Sequence, residues 1–65
     1  MRAKSIVIGE HYHIKGGGSC WATPIAFIQS NTSDEILVQC EWKLNKDDTF
    51  GFIKNFRPRD FLNHE

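Results

Sequence analysis

Residues 35 to 44 read EILVQCEWKL, and in this stretch Ile36, Val38, Cys40, Trp42 and Leu44 alternate with Leu37, Gln39, Glu41 and Lys43. Successive side chains of a strand point to opposite faces, so a period of two lines five apolar groups along one side. A strand is therefore expected here, with only Leu37 interrupting its polar face. No window of the chain carries a sustained apolar period of 3.6 residues, which argues against a helical fold.

Turn formers bracket this strand. "NTSD" (31 to 34) and "NKDD" (45 to 48) are clusters whose short polar side chains bond their own backbone, and both fit hairpin connections. Upstream, "SIVIGEHYHI" places Ile6, Ile8, Tyr12 and Ile14 on one parity and Val7, Gly9, His11 and His13 on the other. It reads as a half-buried strand with its histidines facing outward. "CWATPIAFIQS" is rich in aromatic and branched residues, but Pro24 lacks a donor for a ladder bond. That strand needs an edge position or a bulge at the proline, and its inward parity is expected to switch there.

Downstream, "TFGFIKNF" offers Phe50, Phe52 and Phe56 as inward bulk, and Gly51 permits a bend or a close backbone approach. Lys54 shares the parity of these rings and predicts a bulge before Phe56. In "RPRDFL", Pro58 presets a turn, after which Phe61 and Leu62 return as a short last strand or form a single 3₁₀ turn. The expectation is an all-β fold of four to five short antiparallel strands with turns every eight to twelve residues, in a small barrel or sandwich. Closure also hides the edges that a small flat sheet leaves open.

Sixty-five residues make a single domain, residues 1–65, near the lower limit at which a chain folds alone. Five Phe, two Trp and one Tyr supply the apolar area, each burying on the order of 150 to 250 Å². The thin margin leaves room for a homo-oligomer and little for a catalytic cleft, so an enzyme is not expected. Eight basic residues balance eight acidic ones, unlike the excess of Lys and Arg on a dedicated nucleic-acid binder. Ile6 to Ile8 is too short an apolar run for a signal-peptide core or a membrane span. A cytoplasmic protein with reduced cysteines and no membrane partner is the expectation.

A family resemblance rests on Lys15, Gly16 and Gly17 after the first apolar segment, on Val38, Cys40 and Trp42 in "VQCEW", and on Phe56 and Leu62 in the aromatic and leucine ending. In these positions the chain resembles the YodC-like (DUF2158) group of small uncharacterised bacterial and phage proteins. The likeness implies an SH3-like small β-barrel, and the group carries no activity or catalytic residues to transfer. Gly18 and Ser19 stand where the group usually has a proline, and the hairpin "KLNKDDTFGFIKN" is longer.

His11, His13, Cys20 and Cys40 are the ligand types zinc takes, yet no cysteine pair has the short spacing of a structural site. Parity also places Cys40 in the core and the histidines outside. No metal and no cofactor are expected, and these four residues are weak candidates. Cys20 follows a glycine-rich loop whose amides suit a thiolate, but nothing in the sequence brings a base to it. "GGGSCW" lacks the glycine spacing and following helix of a phosphate cradle. Its glycines are read as a turn that lets Trp21 fold across the end of the barrel.

The tail "FIKNFRPRDF" alternates Lys54, Arg57 and Arg59 with Phe52, Phe56 and Phe61. Small barrels bind single strands by stacking bases on aromatics beside a basic groove, so a nucleic-acid-binding barrel is the alternative reading. A zinc-stabilised domain or thiol enzyme is the second alternative. Preferred over both is a noncatalytic module that binds an unidentified protein partner, with Trp21, Lys54, Arg57 and Arg59 as candidate surface residues.

Overall fold

A computed structural model describes residues 1–29, 31 and 35–62. Three antiparallel strands, β1 (Trp21–Gln29), β2 (Ile36–Lys43) and β3 (Phe52–Phe56), form one open sheet in the order β1, β2, β3. The other regular pieces among the described residues are 3₁₀ turns at Ala3–Ser5 and Pro58–Asp60. The second of these is the turn expected at Pro58. No helix among the described residues is long and apolar enough to cross a membrane. The turn expected over residues 31 to 34 falls, apart from Asn31, outside the described residues.

Three strands stand where four or five were expected, and the difference lies mainly in "SIVIGEHYHI". Gly9 takes φ +89°, a conformation that strands do not use and glycine tolerates. The Glu10 amide donates back to the Val7 carbonyl at 3.2 Å, and the Val7 amide donates to the Tyr12 hydroxyl at 2.9 Å. These bonds bend the chain and turn Ile8 outward, so Ile6, Tyr12 and Ile14 are buried while Val7 and Ile8 are exposed. Beyond the bend the segment makes two isolated antiparallel bridges, Tyr12 to Ala22 on β1 and Ile14 to Phe61. Amide bonds from Lys15 to the Asp60 carbonyl and from Leu62 to the His13 carbonyl, both 2.9 Å, continue the second bridge. Residues 12 to 15 thus tie β1 to the end of the described chain.

Pro24 meets both conditions set by its missing donor. It sits in an edge strand of the sheet, and the β1 to β2 register shifts between Pro24, opposite Cys40, and Ala26, opposite Gln39. Ala22 exchanges backbone bonds with Tyr12, so the Pro24 backbone, two residues on, also faces away from β2. There its carbonyl accepts the Gly9 amide at 3.0 Å. The bulge also switches parity as expected. Ala22 and Pro24 stand opposite Trp42 and Cys40, and Phe27 stands opposite Val38 on the same face.

The core consists of Ile6, Tyr12, Ile14, Ala22, Val38, Cys40 and Phe61, with Met1, Trp42 and Phe56 packed against it. Strand β2 crosses it as the alternation predicts, but the burial is confined to the middle: Val38 and Cys40 are sealed, Trp42 is half-buried, and Ile36 and Leu44 are exposed. Edge-on contacts join Tyr12 to Phe61 and Phe61 to Phe56, with ring centroids 5.5 and 6.3 Å apart. Trp42 and Phe56 lie at 5.1 Å. The Trp42 ring lies on Gly17, where a Cβ would stand 2.5 Å from Cη2. The glycine loop therefore accommodates Trp42, whereas its expected role was to let Trp21 fold across the end of the barrel.

Candidate functional site

Where β2 and β3 leave the core they enclose an open cleft of about 310 Å³, lined by Cys20, Trp42, Lys43, Leu44, Asp48, Phe50, Gly51 and Phe52. The loop that shapes it is closed by reciprocal bonds: the Asp48 amide donates to the Asn45 carbonyl at 3.0 Å, and the Asn45 amide donates to Asp48 Oδ2 at 3.1 Å. Gly51 is required for the close approach, since a Cβ there would lie 2.7 Å from the Trp42 carbonyl oxygen. The rim is apolar and open to solvent. Phe50 is 87 % exposed, Phe52 79 % and Leu44 66 %.

Phe50 and Phe52 were expected as inward bulk, and the register explains the outcome. Phe52 lies opposite Trp42 and Phe56 opposite Val38, so Phe52 and Phe56 do lie on the core side of the sheet. Trp42 already fills the space above Gly17, and nothing remains for Phe52 to pack beneath. Lys54 makes no bulge. It pairs in continuous register with Cys40, and because β3 is an edge its stem escapes over the rings, placing Nζ 5.8 Å from the centroids of both Trp42 and Phe56.

The other predicted surface residues are separate from this cleft. Arg57 Nε and Arg59 Nη2 both approach the Glu35 carboxylate, at 3.9 and 3.7 Å, which partly neutralises the tail as a basic surface. Trp21 lies on the opposite face of β1. The Tyr12 to Ala22 bridge brings His13 next to Trp21 and His11 next to Thr23, and the contacts follow: the His13 and Trp21 rings lie 3.8 Å apart, and His11 Nδ1 bonds Thr23 Oγ1 at 2.8 Å. The histidines do face away from the core, but they are half-covered rather than free on the surface. Lys46 Nζ lies 5.3 Å from the Trp21 ring centroid.

The four weak metal candidates are divided by the sheet. Cys40 is sealed in the core, where burial pushes its thiol up to about 12 and Sγ points at the Val38 carbonyl 3.5 Å away. Cys20 lines the cleft on the Trp42 side, while His11 and His13 pack around Trp21 on the other face. Among the described residues no three His, Cys, Asp or Glu groups converge on a point that would hold a metal ion. His13 Nδ1 meets the Cys20 carbonyl oxygen at 3.0 Å, a contact that holds the loop and does not engage the thiol. Gly16 and Gly18 take positive φ. The Gly17 amide donates to the Ile14 carbonyl and the Cys20 amide to the Gly17 carbonyl, so two of the loop's amides already close turns.

Compared with known proteins, the chain matches no protein-family model, no curated protein and no solved structure.

Sequence reasoning missed Leu44, Phe50 and Phe52 as surface residues because parity assigns a face without saying how far the core extends. One signal was available. Phe50 follows directly on "NKDDT", and a residue bordering a polar turn at the end of an edge hairpin has few elements left to cover it.

Proposed function

We propose that this chain is a noncatalytic SH3-like barrel of the YodC-like kind whose role is to bind protein through the Leu44, Phe50 and Phe52 rim. The observation that carries the reading is the exposure of two phenylalanines at 87 % and 79 % beside an apolar cleft. Contiguous apolar surface bordered by polar groups marks interaction sites in small domains, and Asp48 in the cleft and Lys54 on β3 border this one. The cleft is open, and its three rings, Trp42, Phe50 and Phe52, stand beside Cys20, Lys43 and Asp48.

Support for the barrel comes from the bridges of residues 12 to 14 to both β1 and Phe61, which extend the hydrogen-bonded order beyond the three strands. Support for the family reading comes from where its positions lie. Gly17, Val38, Cys40, Trp42 and Phe56 form one packed group, while the other three positions, Lys15, Gly16 and Leu62, are exposed. The test is to immobilise the protein and compare capture from host extract with that of a Phe50→Ser, Phe52→Ser double variant. Retention of a specific protein by the wild type and its loss in the variant is the expected result. Equal capture by both, or none by either together with a monomeric wild type, would remove the proposal.

The nucleic-acid reading has one observation in its favour, the exposed rings of Phe50 and Phe52, of the kind on which bases stack, with Lys54 two residues after Phe52 on β3. The shared Glu35 contact of Arg57 and Arg59 weighs against it. Titration with single-stranded DNA at low salt decides: binding that falls with salt and is lost with Phe50→Ala and Phe52→Ala supports it, and no binding eliminates it.

A further inference from the structure

Building on the protein-binding role just proposed, we infer that the partner at this rim is a second copy of the chain, joined through antiparallel pairing of the two β3 edges about Ile53. Strand β3 ends the sheet, and no other described segment donates to or accepts from its outer edge. Four of its five residues are exposed, among them Phe52 and Ile53 at 79 % and 57 %. An edge of this kind is a template for another strand. A chain of zero net charge meets no net repulsion from its own copy.

Register follows from Lys54. Pairing centred on Lys54 would set two ammonium groups directly opposite one another, which is unfavourable. Centred on Ile53, the pairing sets Ile53 against its own copy and Phe52 against Lys54 of the other copy, twice over, a cation and ring arrangement that Lys54 already makes with Trp42 and Phe56. Phe50 then stands opposite Phe56 of the other copy. The two sheets become one of six strands with all the phenylalanines on the core side, and the inward lysine selects one register among those the short edge allows.

The area is sufficient. Each phenylalanine buries on the order of 150 Å², so Phe50 and Phe52 from both copies supply about 600 Å². Ile53 and the paired backbones carry the total toward the roughly 1,000 Å² that a specific interface needs.

Sedimentation velocity on the full chain tests this. The weight-average mass should rise with concentration from the 7.5 kDa of one chain toward twice that value. Phe52→Lys, at an exposed position, should keep the fold by circular dichroism and weaken association by about tenfold or more. In a Cys20→Ser background, Ile53→Cys should oxidise to a covalent dimer because the two positions face each other within disulfide reach, while Asn55→Cys should not. A wild type that stays at one chain mass at every concentration overturns the inference, as does association unaffected by Phe52→Lys or cross-linking as ready through position 55 as through 53. A monomer that still captures another protein through Phe50 and Phe52 sinks the self-pairing and leaves the protein-binding role standing. A monomer that captures nothing sinks both.

Discussion

Gly17 is where the glycine loop meets the largest ring of the core, and Gly17→Ala measures that contact. The new Cβ would stand 2.5 Å from Trp42 Cη2, 3.1 Å from Trp42 Cζ2 and 3.1 Å from the Ile14 carbonyl oxygen. Unlike Gly16 and Gly18, Gly17 does not take positive φ, so alanine meets no backbone penalty there. It gains about 0.4 to 1 kcal/mol from the stiffer unfolded chain. Against this, Trp42 must move while Phe56 and Lys54 flank it, and overpacking of this kind costs roughly 1 to 3 kcal/mol.

The net expectation is a loss of about 1 to 2 kcal/mol, or a lowering of Tm by about 4 to 8 °C per kcal/mol for a domain of this size. Urea unfolding gives the free energy, and emission in a Trp21→Phe background isolates the displaced Trp42. The decisive measurement is a double-mutant cycle with Trp42→Phe, whose shorter ring does not reach Gly17. In that background the cost of Gly17→Ala should largely vanish. Gly16→Ala, at φ +79° with nothing within 4 Å, should cost about 1 to 2 kcal/mol in either background. If Gly17→Ala were neutral in the wild type, or equally costly when combined with Trp42→Phe, the packing argument would be wrong.

Three further outcomes are expected. Cys40 has a thiol raised from 9.0 to about 12 by burial, so the folded state holds its proton longer than the unfolded state. Stability from this group is complete below pH 9 and declines by about 1.4 kcal/mol per unit as pH rises toward 12, a decline that urea melts should find reduced in Cys40→Ala; iodoacetamide should label Cys20 well before Cys40 in the native protein. Thr23→Val removes the partner of His11 Nδ1 from a nearly buried site and should cost about 1 kcal/mol in thermal or urea unfolding. Glu35→Gln frees Arg57 and Arg59 from their shared carboxylate and should shift stability by less than about 1 kcal/mol, while strengthening low-salt retention on heparin.

How much was legible in the residues varied by region. The Ile36 to Trp42 alternation, the bulge at Pro24 and the turn at Pro58 all appear where expected, because each follows from bonds and dihedrals local to the residue concerned. Reading "SIVIGEHYHI" as one strand failed at Gly9, since apolar parity continues across a glycine whether or not the backbone bends there. An inward Lys54 predicts a bulge because a charge at an inward position is costly in a closed core. At an open edge it costs little. The cleft was not foreseen, as it arises only when Gly51 lets residues 50 to 52 approach the Trp42 backbone.

The sequence by itself determined the all-β character, the two faces of β2, the turns at 45 to 48 and at Pro58, and the separation of Cys40 from the histidines, because each depends on periodicity or on one residue's own stereochemistry. Only the tertiary structure decided which apolar residues have something to pack against. Trp42 takes the space above Gly17, Phe56 takes the space beside it, and Phe50 and Phe52 are left at the rim. Burial is a property of the volume enclosed by the whole chain, and at 65 residues that volume is filled before all the phenylalanines are used.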